Sequence, residues 1–512
     1  RQEMVLDEMY LQGYLTADEA WAAKQEEIVV TPYDATIVAP YFTVYALEQL
    51  GRLYGPEMVY GGGLQVITSV DLEVQEQVQS FVREHIDSIR GKHNAQSAAT
   101  VVIDTKTGEL VAMVGGVDYY AGGSGQVNVA VTPRQPGSSF KPIVYATAFI
   151  QGYTPASMVM DVRTSFPDPP NAPYVPENYS LGYAGPVTLR RALACSYNIP
   201  AVAMLQNAGI QNVLDTAHRM GITDLKPSDL PPPLTDYTLS LALGGFPVKV
   251  LDMAYAFTAF ANGGNLLGMP APAAQQEAGL RSVDPAVILE VRDAQGNLLF
   301  GQDEPQRAQA IRPEVAFLVT DILSDNAART PAFGANSVIN LPDRPAAVKT
   351  GTTQFYTDGW TVGYTPQYSV AVWVGDPDGE EVMNTAGVTV AGPLWRRIMN
   401  YLHEGLPVEG FSRPPGLVSV VVDTTSGLLP TEYSPSRSQE LFVEGSEPSE
   451  TDNVHQPYSI CMESGQLATP YCPRGSVHTR VYSVYPPEAA DWMRETGVAQ
   501  PPRRHCPIHG PS

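Results

Sequence analysis

The sequence predicts an α+β fold in which helices pack on one antiparallel sheet, followed by a small β-rich extension at the C-terminus. Three observations carry that prediction. Residues 100–103 and 110–114 are apolar, β-rich runs joined by Asp104-Thr105-Lys106-Thr107-Gly108, a hairpin signal with glycine at the turn. Residues 187–270 are mainly helical in pattern, and three more β-rich runs come late, at 346–348, 361–364 and 369–374. A sheet that combines an early hairpin with late strands is closed by segments far apart in the chain, with helices covering it.

Taken in order, residues 1–30 read as two helices. Gly13 ends the first, and Thr16 with Glu19 has capping-box spacing for the second. Residues 41–54 form a further helical pattern leading into Gly61-Gly62-Gly63, and residues 64–70 alternate as a strand. Asp71 then caps a helix whose apolar stripe is Val74, Val78, Phe81, Val82 and Ile89. An apolar helix over 139–150 is closed by Gly152, and one over 248–261 ends at Asn262-Gly263-Gly264. Pro313 opens a helix burying Val315, Leu318, Val319, Ile322 and Leu323, and residues 393–402 form another with proline at its start. The break at Arg413-Pro414-Pro415-Gly416 separates the last part of the chain. The expected domains are 1–60, a leading segment and linker; 61–408, the main domain; and 409–512, the extension. Within the extension, residues 426–435 match residues 464–473 at six of ten positions, which predicts two related β-rich units.

Composition excludes several functions. The chain has 31 Lys and Arg against 54 Asp and Glu, a net charge of −23, so it lacks the basic face that a phosphate backbone requires. A hydrophobic fraction of 44% supplies a large core and argues against a disordered chain. No run approaches the roughly 18 consecutive apolar residues of a membrane-spanning helix. Of four cysteines, Cys195 is isolated and reads as a small buried residue, whereas Cys461, Cys472 and Cys506 cluster near the end as a local staple.

The sharpest chemical signal is Gln135-Pro136-Gly137-Ser138-Ser139-Phe140-Lys141-Pro142. Pro142 belongs in the first turn of a helix, so the helix starts near Ser138. Residues three apart share a helix face, which brings the Lys141 amine toward the Ser138 hydroxyl at the positive end of the helix dipole. A serine nucleophile needs a base, and lysine serves once burial and nearby cations make its amine neutral. A second element is Lys349-Thr350-Gly351-Thr352, following an apolar strand. On a strand, Thr350 and Thr352 face the same way, and Gly351 is expected to let a ligand approach the backbone. Two hydroxyls and a cation there suit a substrate carboxylate. Lys106-Thr107-Gly108 lacks the following hydroxyl and sits in the hairpin turn, so it reads as structural. For a third element, Ser-x-Asn, there are two candidates: Ser196-Tyr197-Asn198 and Ser324-Asp325-Asn326. Sequence order does not separate them.

These motifs resemble the active-site set of penicillin-binding proteins and serine β-lactamases. The wider text resembles the transpeptidase region of class A (bifunctional) penicillin-binding proteins at residues 62–71, 134–142, 185–190, 261–264, 349–353 and 358–366. The likeness covers roughly residues 1–400. It implies that fold, antiparallel sheet sandwiched by helices, and a peptidoglycan DD-transpeptidase that works through a serine acyl-enzyme. Because Ser-x-Asn follows Gly185-Pro186-Val187-Thr188-Leu189-Arg190 in that family, the resemblance selects Ser196. The implied roles are nucleophile for Ser138, base for Lys141, proton relay for Ser196 with Lys349 tuning it, and peptide-amide contact for Asn198. Thr350 and Thr352 would bind the terminal carboxylate beside Gly351, and the backbone N–H groups of Ser138 and Thr352 would form the oxyanion hole. Neither a metal nor an organic cofactor is implied. Expected partners are peptidoglycan stem peptides, nascent glycan strands, β-lactam antibiotics and the cell-wall synthesis machinery. Expected localisation is the extracytoplasmic face of the bacterial cytoplasmic membrane, with membrane attachment only through an anchor outside this sequence. Residues 1–30 resemble the end of the family's glycosyltransferase domain, so the chain is expected to be the transpeptidase half of a longer protein. In an exported protein the tail cysteines are expected to form a disulfide, pairing open, in preference to a zinc site with His509. The rival functions are a DD-carboxypeptidase or β-lactamase-type hydrolase, and a non-enzymatic β-lactam sensor or wall-binding module.

Overall fold

In the computed structural model, which describes residues 2–26, 37–225, 237–273, 276, 280–379 and 383–510, five strands form the central antiparallel sheet. They are β1 (Ser97–Asp104), β2 (Leu110–Val114), β3 (Ala347–Thr352), β4 (Asp358–Tyr364) and β5 (Tyr368–Gly375), in the spatial order β3-β4-β5-β1-β2. The early hairpin therefore joins the late strands through β1 and β5, where Val102 pairs with Val370 and Ile103 with Ser369. Side chains alternate between two covered faces, so the strands read as almost unbroken apolar runs. One face, with Ala99, Val101, Trp360, Val362, Ala371 and Trp373, shares a core with the helices Lys141–Ile150, Val250–Ala261 and Pro313–Ser324. The other, with Ala98, Val102, Val370, Val372 and Val374, packs on Leu72–His93 and Gly392–Leu402.

The helix signals work as the sequence implies. Asp71 accepts from the backbone N–H groups of Glu73 and Val74, and Pro313 sits in the first turn of Pro313–Ser324, which buries all five expected residues. Two expectations change. The helix Pro40–Gly61 buries Phe42, Ala46 and Leu50 in the main core, so the compact bodies are 1–38 and 39–512 and the boundary expected at residue 60 falls inside the second. The helical stretch expected to reach residue 270 stops at Ala261. Asn265–Pro270 is a strand in a small sheet with Val283–Asp284 and Gln306–Gln309, and Gln65–Thr68 joins another with Ile288–Arg292 and Leu298–Gly301. Residues 1–38, taken alone, contain the helices Gln2–Leu11 and Ala17–Gln25, the latter with the Thr16–Glu19 capping box. Among the described residues no helix is long and apolar enough to cross a membrane.

The extension comprises two antiparallel strand pairs, one for each repeat: β6 (Leu417–Asp423) with β7 (Arg437–Val443), and β8 (His455–Cys461) with β9 (Val477–Ser483). It docks on the main domain. Arg190 binds Glu440 through Nε at 2.7 Å and through Nη2, and also pairs with Asp321 and Asp325. Gly427 lies so close to Ala156 that a Cβ would come 1.9 Å from the Ala156 carbonyl oxygen, and the Trp492 ring covers Gly185 at 2.3 Å from such a Cβ.

Candidate active site

Ser138 lies on the 3-10 turn Gly137–Phe140, which runs directly into the helix Lys141–Ile150 with Pro142 in its first turn. The turn is held against β3 by contacts only glycine permits. Gly137 has φ +54°, and a Cβ there would lie 2.6 Å from the Thr352 carbonyl oxygen. Gly244 presses on Gly137 from the opposite direction, with a Cβ position 2.2 Å from the Gly137 oxygen. Gly351 was expected to admit a ligand. Instead, its missing side chain admits the turn that carries Ser138, since a Cβ would meet the Pro136 carbonyl oxygen at 2.2 Å. Ser138 itself is half-buried, and among the described residues its hydroxyl has no hydrogen-bond partner.

Lys141, fully buried, reaches across to the turn between two helices. Its Nζ donates to Ser196 O (2.6 Å), Tyr197 O (3.1 Å) and Asn198 Oδ1 (2.6 Å), and lies 3.4 Å from Ser196 Oγ. From β3, Lys349 Nζ donates to Ser196 Oγ at 2.8 Å and to Thr350 O at 2.9 Å. One hydroxyl thus sits between two lysine amines. Burial first, then the like charge of Lys349, holds the Lys141 amine well below the ordinary lysine range, against a smaller opposing pull from Asp161. Burial and then the Arg329 guanidinium push Lys349 down to about 7. Both amines are thereby brought toward the neutral form at neutral pH.

Local structure explains how Ser196 reaches this position. The helix Leu189–Ala194 ends in a Schellman pattern, with Tyr197 N–H donating to Ala192 O and Ser196 N–H to Leu193 O. The left-handed residue this motif requires is usually glycine, yet here Ser196 takes it, at φ +62°. Such strain costs about 1 kcal/mol or more. Asn198 follows at the start of Asn198–Ala208; its N–H donates to Asn178 Oδ1 (2.7 Å) and its Nδ2 to Glu177 O (2.6 Å). Asn178 in turn donates to both oxygens of buried Asp161 at 2.9 Å. Burial raises the pKa of that carboxyl.

The second lysine strand is the edge of its sheet. Thr353 N–H donates inward to Asp358 O, so by alternation the N–H of Thr352 points to the open edge beside Gly137. Thr352 Oγ1 accepts from Gly387 N–H at 2.8 Å, and Thr350 is buried.

The structure brings the eight expected site residues together: hydrogen bonds join Lys141, Ser196, Asn198, Lys349 and Thr350, and the turn carrying Ser138 packs on Gly351 and Thr352. The rivals do not join them. Asp325 caps the helix Asn326–Phe333 and pairs with Arg190, Asn326 binds Ala335 O, and Lys106 pairs with Glu409 at 2.8 Å in the hairpin turn. Sequence reasoning missed Asp161, Glu177, Asn178, Gly244, Arg329 and Gly387. They lie at five separate places along the chain, and no local spacing connects them to the motifs.

The penicillin-binding protein transpeptidase domain model matches residues 98–400. The chain belongs to that family. A second model, the penicillin-binding protein 1A C-terminal domain, matches residues 413–457, which places this penicillin-binding protein in class A. It is 29% identical over 460 residues to penicillin-binding protein 2D of Bacillus subtilis, covering 88% of this chain and 62% of that one. Against penicillin-binding protein 1A of Neisseria lactamica the identity is 34% over 332 residues, covering 63% and 38%. The chain thus spans less than two thirds of the length of these relatives. Among solved structures, penicillin-binding protein 1A from Haemophilus influenzae aligns with a TM-score of 0.67 over 88% of this chain and 82% of that one, at 24% identity, a likeness of fold. PonA1 from Mycobacterium tuberculosis aligns at 0.61 over 74% and 96%, at 26% identity. A family member with this domain is an enzyme of peptidoglycan synthesis carrying a DD-transpeptidase fold.

The tail departs from its expectation. Cys195, Cys461, Cys472 and Cys506 are all free thiols, so the expected disulfide is not formed. The three tail thiols converge with His509, their ligand atoms lying within 4.8 Å of one another. A bond between any two would leave the third thiol buried without its partner.

Proposed function

We propose that this chain cross-links peptidoglycan by acyl transfer through Ser138. The observation that carries the reading is the Ser196 hydroxyl held between the Lys141 and Lys349 amines behind the Ser138 turn. Ser138 Oγ attacks the carbonyl of the penultimate D-Ala of a stem peptide, and its proton passes to the depressed Lys141 amine. The resulting oxyanion is received by the backbone N–H groups of Ser138 and Thr352, the second of which faces the open edge of β3. Collapse breaks the peptide bond. Ser196, between the two amines, passes a proton to the leaving D-Ala nitrogen, and an amine from a neighbouring stem then takes the acyl group from Ser138. Thr350, Thr352 and Lys349 hold the terminal carboxylate, and Asn198 the peptide amide. Penicillins acylate the same serine and stall there; penicillin V is the compound bound to PonA1 in one of its structures, which aligns here with a TM-score of 0.60 at 25% identity. The full-length parent also carries the glycosyltransferase whose end residues 1–30 resemble, acts on nascent strands with the wall-synthesis machinery, and faces the outside of the cytoplasmic membrane.

The test is intact mass after incubation with a penicillin, wild type against Ser138→Ala. A stable adduct on the wild type alone supports the reading. An adduct on both assigns the wrong serine, and rapid turnover of penicillin without an adduct makes the chain a hydrolase.

A further inference from the structure

The two repeats of the extension superimpose residue for residue in their hydrogen bonding. In the first, Asp423 N–H donates to Leu428 O, Gly427 N–H to Asp423 O, and Asp452 N–H to Leu429 O; in the second, Cys461 N–H donates to Gln466 O, Gly465 N–H to Cys461 O, and Cys506 N–H to Leu467 O. Isolated parallel bridges Leu429–Thr451 and Leu467–His505 match as well. Thr431 N–H donates to Ser434 Oγ at 2.9 Å, and its counterpart Thr469 N–H to Cys472 Sγ at 3.3 Å. The correspondence equates Asp423, Ser434, Asp452 and His455 with Cys461, Cys472, Cys506 and His509, keeping the His three residues after the third member in both.

The two quartets differ in what satisfies them. In the first, Ser434 Oγ donates to Asp452 Oδ2 at 2.7 Å and His455 Nδ1 lies 2.7 Å from the same carboxylate, while among the described residues Asp423 Oδ2, 3.6 Å from that ring nitrogen, is buried without a hydrogen-bond partner. In the second, Cys461, Cys472 and Cys506 are buried together, and thiols are too weak as donors and acceptors to close the cluster by hydrogen bonds. Cys461 Sγ and Cys506 Sγ lie 3.5 and 3.4 Å from His509 Nδ1. A tetrahedral zinc with the usual bond lengths sets its sulfur and nitrogen ligands ~3.6 Å apart, whereas a disulfide needs ~2.05 Å between sulfurs. The carboxylate of Glu463 stands 3.6 Å from the other ring nitrogen, Nε2, on the side of the ring away from the thiols' partner Nδ1.

We propose that Cys461, Cys472, Cys506 and His509 bind one structural zinc ion through three Sγ atoms and Nδ1, clipping the terminal segment 504–509 onto β8 and the loop that follows it. All four protein ligands are present and no open position is left, the pattern of a structural rather than a catalytic site. The first repeat keeps the same scaffold with two carboxylates and a hydroxyl in place of the three thiols.

The test uses the full chain purified without chelator. Metal analysis is expected to find one zinc per chain, with four thiol-bearing residues of which only Cys195 lies outside the site. Zinc is lost in Cys472→Ser and in His509→Ala and retained in Asp452→Asn. Because a ligand variant could simply misfold, the wild type is also reconstituted with cobalt(II), where thiolate-to-cobalt absorption and the intense visible bands of a tetrahedral site are expected. Zinc well below one per chain overturns the proposal, as does a denatured, unreduced mass lower by two hydrogens, which is the disulfide. Equal zinc loss in Asp452→Asn also overturns it, by placing the ion in the first repeat.

Discussion

Gly351→Ala is the most direct test of how the nucleophile is positioned. The new Cβ would stand 2.2 Å from the Pro136 carbonyl oxygen and 3.1 Å from both Ser139 N and Trp360 Cβ, so at least about 0.8 Å of movement is needed to reach 3.0 Å. The obstructing atom is backbone and has no rotamer to change. β3 is paired with β4 along its whole length, from Ala347–Tyr364 to Thr352–Gly359, so the displacement falls mainly on the turn that carries Ser138. Overpacking of this kind costs about 1–3 kcal/mol of stability. A misplacement near 1 Å in a reacting group costs about 100-fold in rate. The assay is the second-order rate constant for acylation by a chromogenic β-lactam, alongside thermal unfolding. The expected result is a folded protein, destabilised by that amount, that acylates about 100-fold more slowly. Acylation within about twofold of wild type would refute the idea that this contact sets the serine's position.

Two further outcomes follow from the lysine cluster. Ser196→Gly relieves the left-handed strain at φ +62° and should raise stability by about 1 kcal/mol while slowing acylation, because no hydroxyl then bridges Lys141 and Lys349; a variant that keeps wild-type acylation shows that the hydroxyl is not needed. Lys349 should make stability depend on pH: its amine is held at about 7 in the folded chain and near 10.4 unfolded, so between these values the unfolded chain binds more protons and stability rises with pH. Urea unfolding should show wild type gaining on Lys349→Met from about pH 7 to about pH 10 at up to about 1.4 kcal/mol per pH unit. Parallel curves for the two proteins would exclude it.

The parts legible in the sequence are those encoded locally. Asp71 and Pro313 mark helix starts by chemistry contained within one turn, and Ser138 to Lys141 or Lys349 to Thr352 are short spacings that a helix or strand converts directly into geometry. Choosing Ser196 over Ser324 required the surrounding family text, because spacing is identical in the two and only the fold turns one toward Lys141. The Asp161–Asn178–Asn198 chain joins three segments by tertiary contact, leaving no periodic trace. Gly351 shows another limit: the glycine was recognised as a point of close approach, but what approaches it is a turn more than 200 positions away. The small strands Leu298–Gly301 and Gln306–Gln309 are mostly exposed and lack the apolar alternation that reveals a strand. Compartment chemistry favours pairing of the tail thiols, whereas their convergence, three of them on one imidazole, is visible only in three dimensions.

The docking of the extension makes the far end of the chain a brace for the cleft. Trp492 presses on Gly185 in the short strand pair Met158–Asp161 and Gly185–Thr188, Gly427 presses on Ala156 just ahead of it, and that pair carries Asp161, the anchor of Asn178 and through it of Asn198. Cutting the protein at the Pro-Pro-Gly break would therefore do more than shorten it. Those strands would lose their outer buttress, and the loosening would travel inward along three side chains to Asn198 and the Lys141 amine it holds.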